Sequence, residues 1–134
     1  MKYENEAGFR HDAPERLGVL LLNLGTPEAP SVSAVRRYLA EFLSDPRVVE
    51  LPRPLWRLIL HGVILRVRPK RSAEAYRSVW TQDGSPLLTI SRRQAQALQG
   101  RLDERLPGPV RVELGMRYGS PSIPAALARL KEAN

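Results

Sequence analysis

The chain has 134 residues, 43% of them hydrophobic and 26% charged, which is the composition of one globular domain with a modest core. It contains no cysteine, which excludes disulfides, iron–sulfur ligation and cysteine-based zinc sites within the chain and is consistent with a reducing, cytoplasmic location. The formal net charge is +7, and the segment 53–77 holds seven basic residues against one acidic residue. This segment favours an anionic small molecule or an anionic membrane surface as partner. Nucleic acid is not expected, because the segment has few aromatic residues for base stacking and no nucleic-acid motif.

Residues 1–16 carry four acidic residues and no apolar run. They match neither a secretory signal nor a membrane anchor, so we expect a flexible leader there. The folded part is expected to span residues 17–134.

The first predicted element is a strand over Leu17–Asn23, a short apolar run without polar alternation. Such a run indicates a strand buried on both faces, and therefore a parallel sheet with helices above and below it. The turn sequence Leu24-Gly25-Thr26-Pro27 follows at once. Because ligands of open parallel sheets bind at the carboxyl ends of strands, this turn is the first candidate for a functional site.

Helical spacing of apolar residues predicts a helix that begins at a cap, Ser31 or Ser33, and ends before Pro46. A short extended piece over Val48–Leu51 is expected next. It is followed by a helix over about 53–67 with apolar residues around most of its circumference, too short and too charged at its ends to span a bilayer. Burial of this helix is the favoured interpretation, with His61 packed in its middle. The alternative is an apolar face exposed at the mouth of a cleft or at a membrane interface.

Pro69 is predicted to open another short helix, which runs to about Trp80. The turn at 82–86 then places Ser85 as the cap and Pro86 as the first residue of a long helix that closes before Pro107. A second strand over Val110–Met116, a turn at 117–121 and a last helix from Ile123 complete the pattern.

Two strands are few for this number of helices. A parallel pair covered by four or five helices leaves sheet edges unpaired and apolar helix faces uncovered. We therefore expect an α/β fold whose sheet is incomplete in this chain, as in the front part of a longer protein.

Few residues of the chain suggest catalysis. His11 and His61 have no second histidine or carboxylate cluster near them in the sequence, and dinucleotide and phosphate-loop motifs are absent. What remains is a set of polar residues among apolar neighbours at predicted element ends: Arg68, Tyr76, Ser85, Arg117 and Tyr118. Singly, each is explained as a solvated helix end, a core ring, a cap or a turn residue.

Five ordered blocks, from Leu17 to the end of the chain, closely resemble the amino-terminal domain of bacterial ferrochelatase. The blocks are Gly18–Pro27 (GVLLLNLGTP), Arg36–Leu39 (RRYL), Ser72–Tyr76 with Val79–Trp80 (SAEAY, VW), Gly84–Leu87 (GSPL) and Gly115–Pro121 (GMRYGSP). Only the leader lies outside the resemblance.

The resemblance implies an enzyme of haem biosynthesis that inserts ferrous iron into a porphyrin held between two similar Rossmann-like domains. By motif position it implies porphyrin contacts for six residues, of which the last two line the path of the metal: Leu24, Arg68, Tyr76, Ser85, Arg117 and Tyr118. In the family, the His and Glu that remove protons and handle the metal lie in the carboxyl-terminal domain, the His in a Ser-x-His-Gly type motif. This chain lacks that motif. The resemblance therefore implies no catalytic residue, no metal site and no tightly bound cofactor here, and a chain that is inactive without the missing carboxyl-terminal domain.

Other functions fit the same residues. The basic segment 53–77 also suits an interaction module for an acidic partner or a membrane surface. A related chelatase for another metal or tetrapyrrole is a closer alternative, and protoporphyrin IX and coproporphyrin III both remain open as substrates. Peripheral membrane contact is expected of the apolar helix before Pro69, since the resemblance makes it a lip of the porphyrin pocket.

Overall fold

The computed structural model describes residues 16–132 and has an α/β fold, as the sequence predicts. Two strands, β1 (Leu17–Gly25) and β2 (Val110–Tyr118), form a parallel pair in register from Leu17 opposite Val110 to Gly25 opposite Tyr118. The helices are, in chain order, α1 (Val32–Ser44), α2 (Arg53–Ile59), α3 (Leu65–Val79), α4 (Pro86–Arg105) and α5 (Ile123–Glu132). Of the predicted leader, residues 1–16, all but Arg16 lie outside the described residues.

The strand pair has a helix on each face. Asn23 of β1 donates a hydrogen bond from Nδ2 to Ser91 Oγ of α4 at 2.9 Å. Gly18, which points to the opposite face because it lies an odd number of residues away, has Leu130 of α5 as its nearest neighbour. Both helices lie mainly over β2.

Burial differs between the two strands. The middle of β2, from Val112 to Met116, is buried throughout, whereas β1 leaves Leu17 exposed and Leu22 54% exposed. The prediction of a first strand buried on both faces is therefore wrong for β1. Its apolar run is suited to two covered faces, but the helices of the described chain cover β2 more fully.

The core lies between α1 and the helical segment that follows it. The cap of α1 is Ser31, whose Oγ accepts from the Ala34 N–H at 3.2 Å, as one of the two predicted alternatives requires. Apolar residues at three- and four-residue spacing on α1 then meet the later helices in one buried cluster: Val35, Leu39, Leu43, Leu60, Leu65 and Ala73.

The helical segment after α1 corrects two predictions. Helix α2, a π-helical turn over Leu60–Ile64 and α3 follow one another without a break, so Pro69 lies inside α3 and does not begin a helix. Proline has no N–H to give the Leu65 carbonyl four residues earlier. That carbonyl instead accepts from Arg36 Nε of α1 at 3.0 Å, which explains how the proline is tolerated.

This segment is buried on one side only: Leu60 and Leu65 lie in the core cluster, while other apolar residues are exposed. Helix α2 buries none of its residues, and Leu58 and Val67 are 72% and 71% exposed. His61, predicted to be packed, is exposed on the π-helical turn. Within residues 16–132, no helix is long and apolar enough to cross a membrane.

The predicted extended piece at Val48–Leu51 is also wrong. The backbone N–H groups of Val48 and Val49 both donate to the Asp45 carbonyl, at 2.9 and 3.2 Å, so the chain turns after α1. The turn lets Trp56 donate from Nε1 to the Leu43 carbonyl at 2.6 Å, which attaches the start of α2 to the end of α1.

Candidate functional site

The site is built around the turn that ends β1. Gly25 has φ +112°, and a Cβ on it would lie 1.8 Å from the carbonyl oxygen of Tyr118. Only glycine permits this backbone angle together with so close an approach of the two strand ends. The Gly25 carbonyl accepts from the Tyr38 hydroxyl at 3.2 Å, so α1 also holds the turn in place.

A cavity of about 360 Å³ opens beside this turn, between β1, α3 and the start of α4. Three of the six predicted site residues line it: Leu24, Tyr76 and Ser85. Tyr38, Val79 and Leu87 contribute further wall. The cavity, which we call the β1 groove, thus combines apolar side chains with hydroxyl groups at the carboxyl end of a parallel strand.

The floor of the groove contains a buried hydroxyl pair. Thr26 Oγ1 and Ser85 Oγ are 2.8 Å apart, and both residues are almost fully buried. Ser85 has the backbone of a cap residue for α4, but its side chain makes no capping hydrogen bond. The predicted cap position and the helix start at Pro86 are therefore confirmed, but the Ser85 hydroxyl bonds to Thr26, 59 positions away in the sequence, and does not cap the helix.

Thr26→Val should lower the free energy of unfolding by about 1–3 kcal/mol, because it leaves the buried Ser85 hydroxyl without its partner. The double variant Thr26→Val/Ser85→Ala should be less destabilised than the sum of the single variants, since it removes both polar groups. Urea unfolding followed by circular dichroism measures the difference. Ser33→Ala is the control, because its hydroxyl pair with Ser31 is exposed; an equal loss there would contradict the buried-pair argument.

A row of aromatic rings includes two residues that line the groove, Tyr38 and Tyr76. Neighbouring ring centroids are 5.1 to 6.5 Å apart along the sequence Tyr118, Phe42, Tyr38, Tyr76, Trp80. Burial, with smaller contributions from Tyr76, Glu41 and Tyr118, raises the pKa of Tyr38 to about 12. Burial also raises the pKa of Tyr76. Both phenols are therefore neutral hydrogen-bonding groups near neutral pH and are unsuited to accept protons as phenolates.

Arg117 and Tyr118 lie at the end of β2 and do not line the β1 groove. Both bind Asp45 Oδ2, Arg117 Nη2 at 2.7 Å and the Tyr118 hydroxyl at 3.0 Å. The Arg47 backbone N–H, then Arg117 and Tyr118, lower the pKa of Asp45 to about 2. Asp45 is therefore ionised at neutral pH, and it joins the end of α1 to the end of β2.

The stability that Asp45 contributes should be lost in acid. An unfolded aspartate titrates near pH 3.9, so the unfolded chain takes up this proton more readily than the folded chain does. The difference in melting temperature between the unsubstituted chain and Asp45→Asn should be constant above about pH 5 and shrink as the pH falls through about 4 towards 2. Thermal unfolding at a series of pH values tests this; a difference independent of pH down to about 2 would contradict it.

Of the predicted site residues, Arg68 agrees least with the groove. It is exposed on α3, beside the exposed Val67, and does not line the groove. No group of three or more potential metal-ligating side chains occurs among residues 16–132.

Sequence reasoning missed three residues of the site, Thr26, Tyr38 and Asp45. Tyr38 carries the only hydroxyl on the apolar face predicted for α1, and that feature could have suggested its position.

Comparison with known proteins gives a consistent result. A family model described as Ferrochelatase matches residues 16–134. A ferrochelatase of Thioalkalivibrio sulfidiphilus (strain HL-EbGR7) is 63% identical over 133 residues, which cover 99% of this chain and 36% of that protein. Ferrochelatases of Nitrosococcus oceani and Marinobacter nauticus are 58% and 57% identical, over 99% and 98% of this chain and 36% of each relative. The chain thus spans about a third of the length of these relatives.

Proposed function

The chain belongs to the ferrochelatase family, and on that basis we propose that it forms one wall of the porphyrin site in an enzyme that inserts ferrous iron into a porphyrin during haem biosynthesis. Protoporphyrin IX and coproporphyrin III are the candidate substrates. The matched relatives bear the name ferrochelatase. The residues assigned to the wall are Leu24, Arg68, Tyr76, Ser85, Arg117 and Tyr118.

The β1 groove is the observation that carries this proposal. A porphyrin is a flat apolar plate with carboxylates at its rim, so its site needs apolar walls and a few hydroxyl or cationic groups. Leu24, Val79 and Leu87 give the groove its apolar walls, and Tyr76 adds a neutral hydroxyl. The volume of about 360 Å³ is at the low end for a ligand site, as expected of one wall of a larger cleft.

The exposed apolar residues of α2 and α3 extend this wall. Leu58 and Val67 are largely exposed, and basic residues flank them in the same helical segment. An apolar surface with basic flanks suits contact with an anionic membrane surface, where hydrophobic porphyrins partition. We place the protein in the cytoplasm, with this segment in peripheral membrane contact.

The opposite wall is assigned to the remaining two thirds found in the relatives. Helices α4 and α5 cover opposite faces of the strand pair. Because crossovers between parallel strands are right-handed, a parallel strand that follows α5 would join the free edge of β1. The groove beside Leu24 would then lie where the strand order reverses, the usual ligand position in such sheets. We assign proton removal and metal handling to those remaining two thirds. Porphyrin and ferrous iron are the substrates of the whole enzyme.

Absorbance titration of the 134-residue chain with porphyrin tests the proposal. We expect a Soret shift that saturates, and a weaker affinity for Tyr76→Phe and Arg68→Ala.

Zinc insertion should be undetectable for the chain alone and present when the chain replaces the matching segment of the Thioalkalivibrio sulfidiphilus protein. Full zinc insertion by the 134-residue chain alone would overturn the assignment of proton removal and metal handling to the remaining part of the enzyme. Salt-sensitive adhesion to anionic liposomes without a Soret shift would favour the interaction module.

A further inference from the structure

Two carboxylates at the end of α1, that of Glu41 in its last turns and that of the C-cap residue Asp45, reach the carboxyl end of β2. Glu41 and Asp45 are four residues apart and so lie on one face of the helix end. Glu41 Oε2 accepts from the Gly119 backbone N–H at 3.0 Å, and Asp45 Oδ2 accepts from Arg117 and Tyr118. The last turn of α1 thus holds the β2 end through three consecutive residues.

Asp45 is fixed through both of its oxygens. Its Oδ1 accepts from the Arg47 backbone N–H at 2.9 Å, while Oδ2 takes the two side-chain donors. The Asp45 side chain is 11% exposed, and that of its partner Arg117 is 42% exposed. A shielded carboxylate therefore holds an arginine that still reaches solvent.

The same contact sets the orientation of both partners. The Arg117 guanidinium carbon lies 5.7 Å from the centroid of the Tyr118 ring, and that ring packs edge-on against Phe42. Because the Tyr118 hydroxyl donates to Asp45, its oxygen lone pairs remain available as acceptors.

We propose that Asp45 is a positioning residue for the metal-insertion reaction. It orients Arg117 and Tyr118 and neutralises the guanidinium beside the path along which the divalent metal arrives. This inference rests on the proposed function and on the family resemblance, which implies that Arg117 and Tyr118 line that path. Asp45 acts through these two residues and itself touches neither the porphyrin nor the metal.

The expected effect follows from charge. A divalent cation is repelled by an arginine without a counter-ion, and the ionised carboxylate 2.7 Å away cancels most of that field. Asn in place of Asp45 keeps the shape and the acceptor oxygen but loses the charge. Porphyrin affinity should change less than metal affinity, because Leu24, Tyr76 and Ser85 line the β1 groove, which Asp45 does not line.

The test uses the full-length protein in which this chain replaces the matching segment of the Thioalkalivibrio sulfidiphilus ferrochelatase. Asp45→Asn should raise the KM for zinc about tenfold, a loss of about 1.4 kcal/mol in binding the metal, and leave the KM for porphyrin within about threefold. Asp45→Glu, which restores the charge, should recover most of the metal KM. Glu28→Gln removes a carboxylate from the exposed Arg37 pair at the other end of α1 and should change neither KM.

The outcomes separate the two proposals. No zinc insertion by the unsubstituted protein overturns the proposed function and this inference together. If Asp45→Asn and the unsubstituted protein have the same KM for zinc, the inference alone is overturned. A fall in kcat with both KM values unchanged, tracking a lower melting temperature, would make Asp45 a structural residue and also overturns it.

Discussion

Gly25→Ala should lower the free energy of unfolding by about 3–5 kcal/mol, enough to unfold much of a marginal domain. The new Cβ would meet the Tyr118 carbonyl oxygen at 1.8 Å, and neither backbone can move without separating the paired strand ends. The positive φ of +112° adds strain for any residue with a side chain. Urea unfolding followed by circular dichroism measures the loss.

Gly100→Ala is the matched control for this prediction. Gly100 lies within α4, and a Cβ there would have no neighbour within 4 Å. Alanine favours the helix over glycine, so this variant should be more stable by about 0.5–1 kcal/mol. Equal stability of Gly25→Ala and the unsubstituted chain would contradict the close packing of the two strand ends.

Leu24→Asp should weaken porphyrin binding at least about tenfold while changing the free energy of unfolding by less than about 1 kcal/mol. The side chain lines the β1 groove but is about half exposed, so the charge can stay hydrated when no ligand is present. Bound porphyrin would cover this charge with an apolar plate and bring its own carboxylates nearby. Soret titration and urea unfolding of the same samples separate the two effects.

Leu127→Asp is the control for the groove. Leu127 is a leucine of similar exposure on α5, which does not line the groove. Its porphyrin affinity should match that of the unsubstituted chain. A similar loss in both variants would mean that the added negative charge acts at a distance and that the groove is not the binding surface.

The helix and strand pattern was predictable where local sequence and packing agree. Ser31 caps α1 because a serine immediately precedes an apolar stripe of helical period, and both strands are short apolar runs followed by turns. The prediction that Pro69 begins a helix is wrong because the donor that satisfies the Leu65 carbonyl in its place, Arg36, is 33 positions away in the sequence. The prediction that His61 is packed is wrong because it relied on the apolar residues around it, and several of these are exposed.

The groove itself was predictable only in part. The chain order of motifs identified Leu24, Tyr76 and Ser85, and these three residues share one cavity. Their contacts were not predictable, because the Thr26–Ser85 pair spans 59 positions and the Asp45–Arg117 pair spans 72. Neither partner, Thr26 nor Asp45, has a local sequence feature that sets it apart from an ordinary turn or helix-end residue. Such pairs depend on how α1 and α4 lie against the strand ends.

The most direct test of the central claim is a nitrogen–proton correlation spectrum of the labelled chain, recorded during titration with porphyrin. A macrocycle in the β1 groove must shift the amide signals of Leu24, Gly25, Tyr76 and Leu87 most strongly, because ring currents act only over short distances. Signals of the far end of α4, near Gly100, should stay in place. The largest shifts falling instead on 53–67 alone, or spread evenly over the basic surface, would contradict the assignment of the groove as a porphyrin wall.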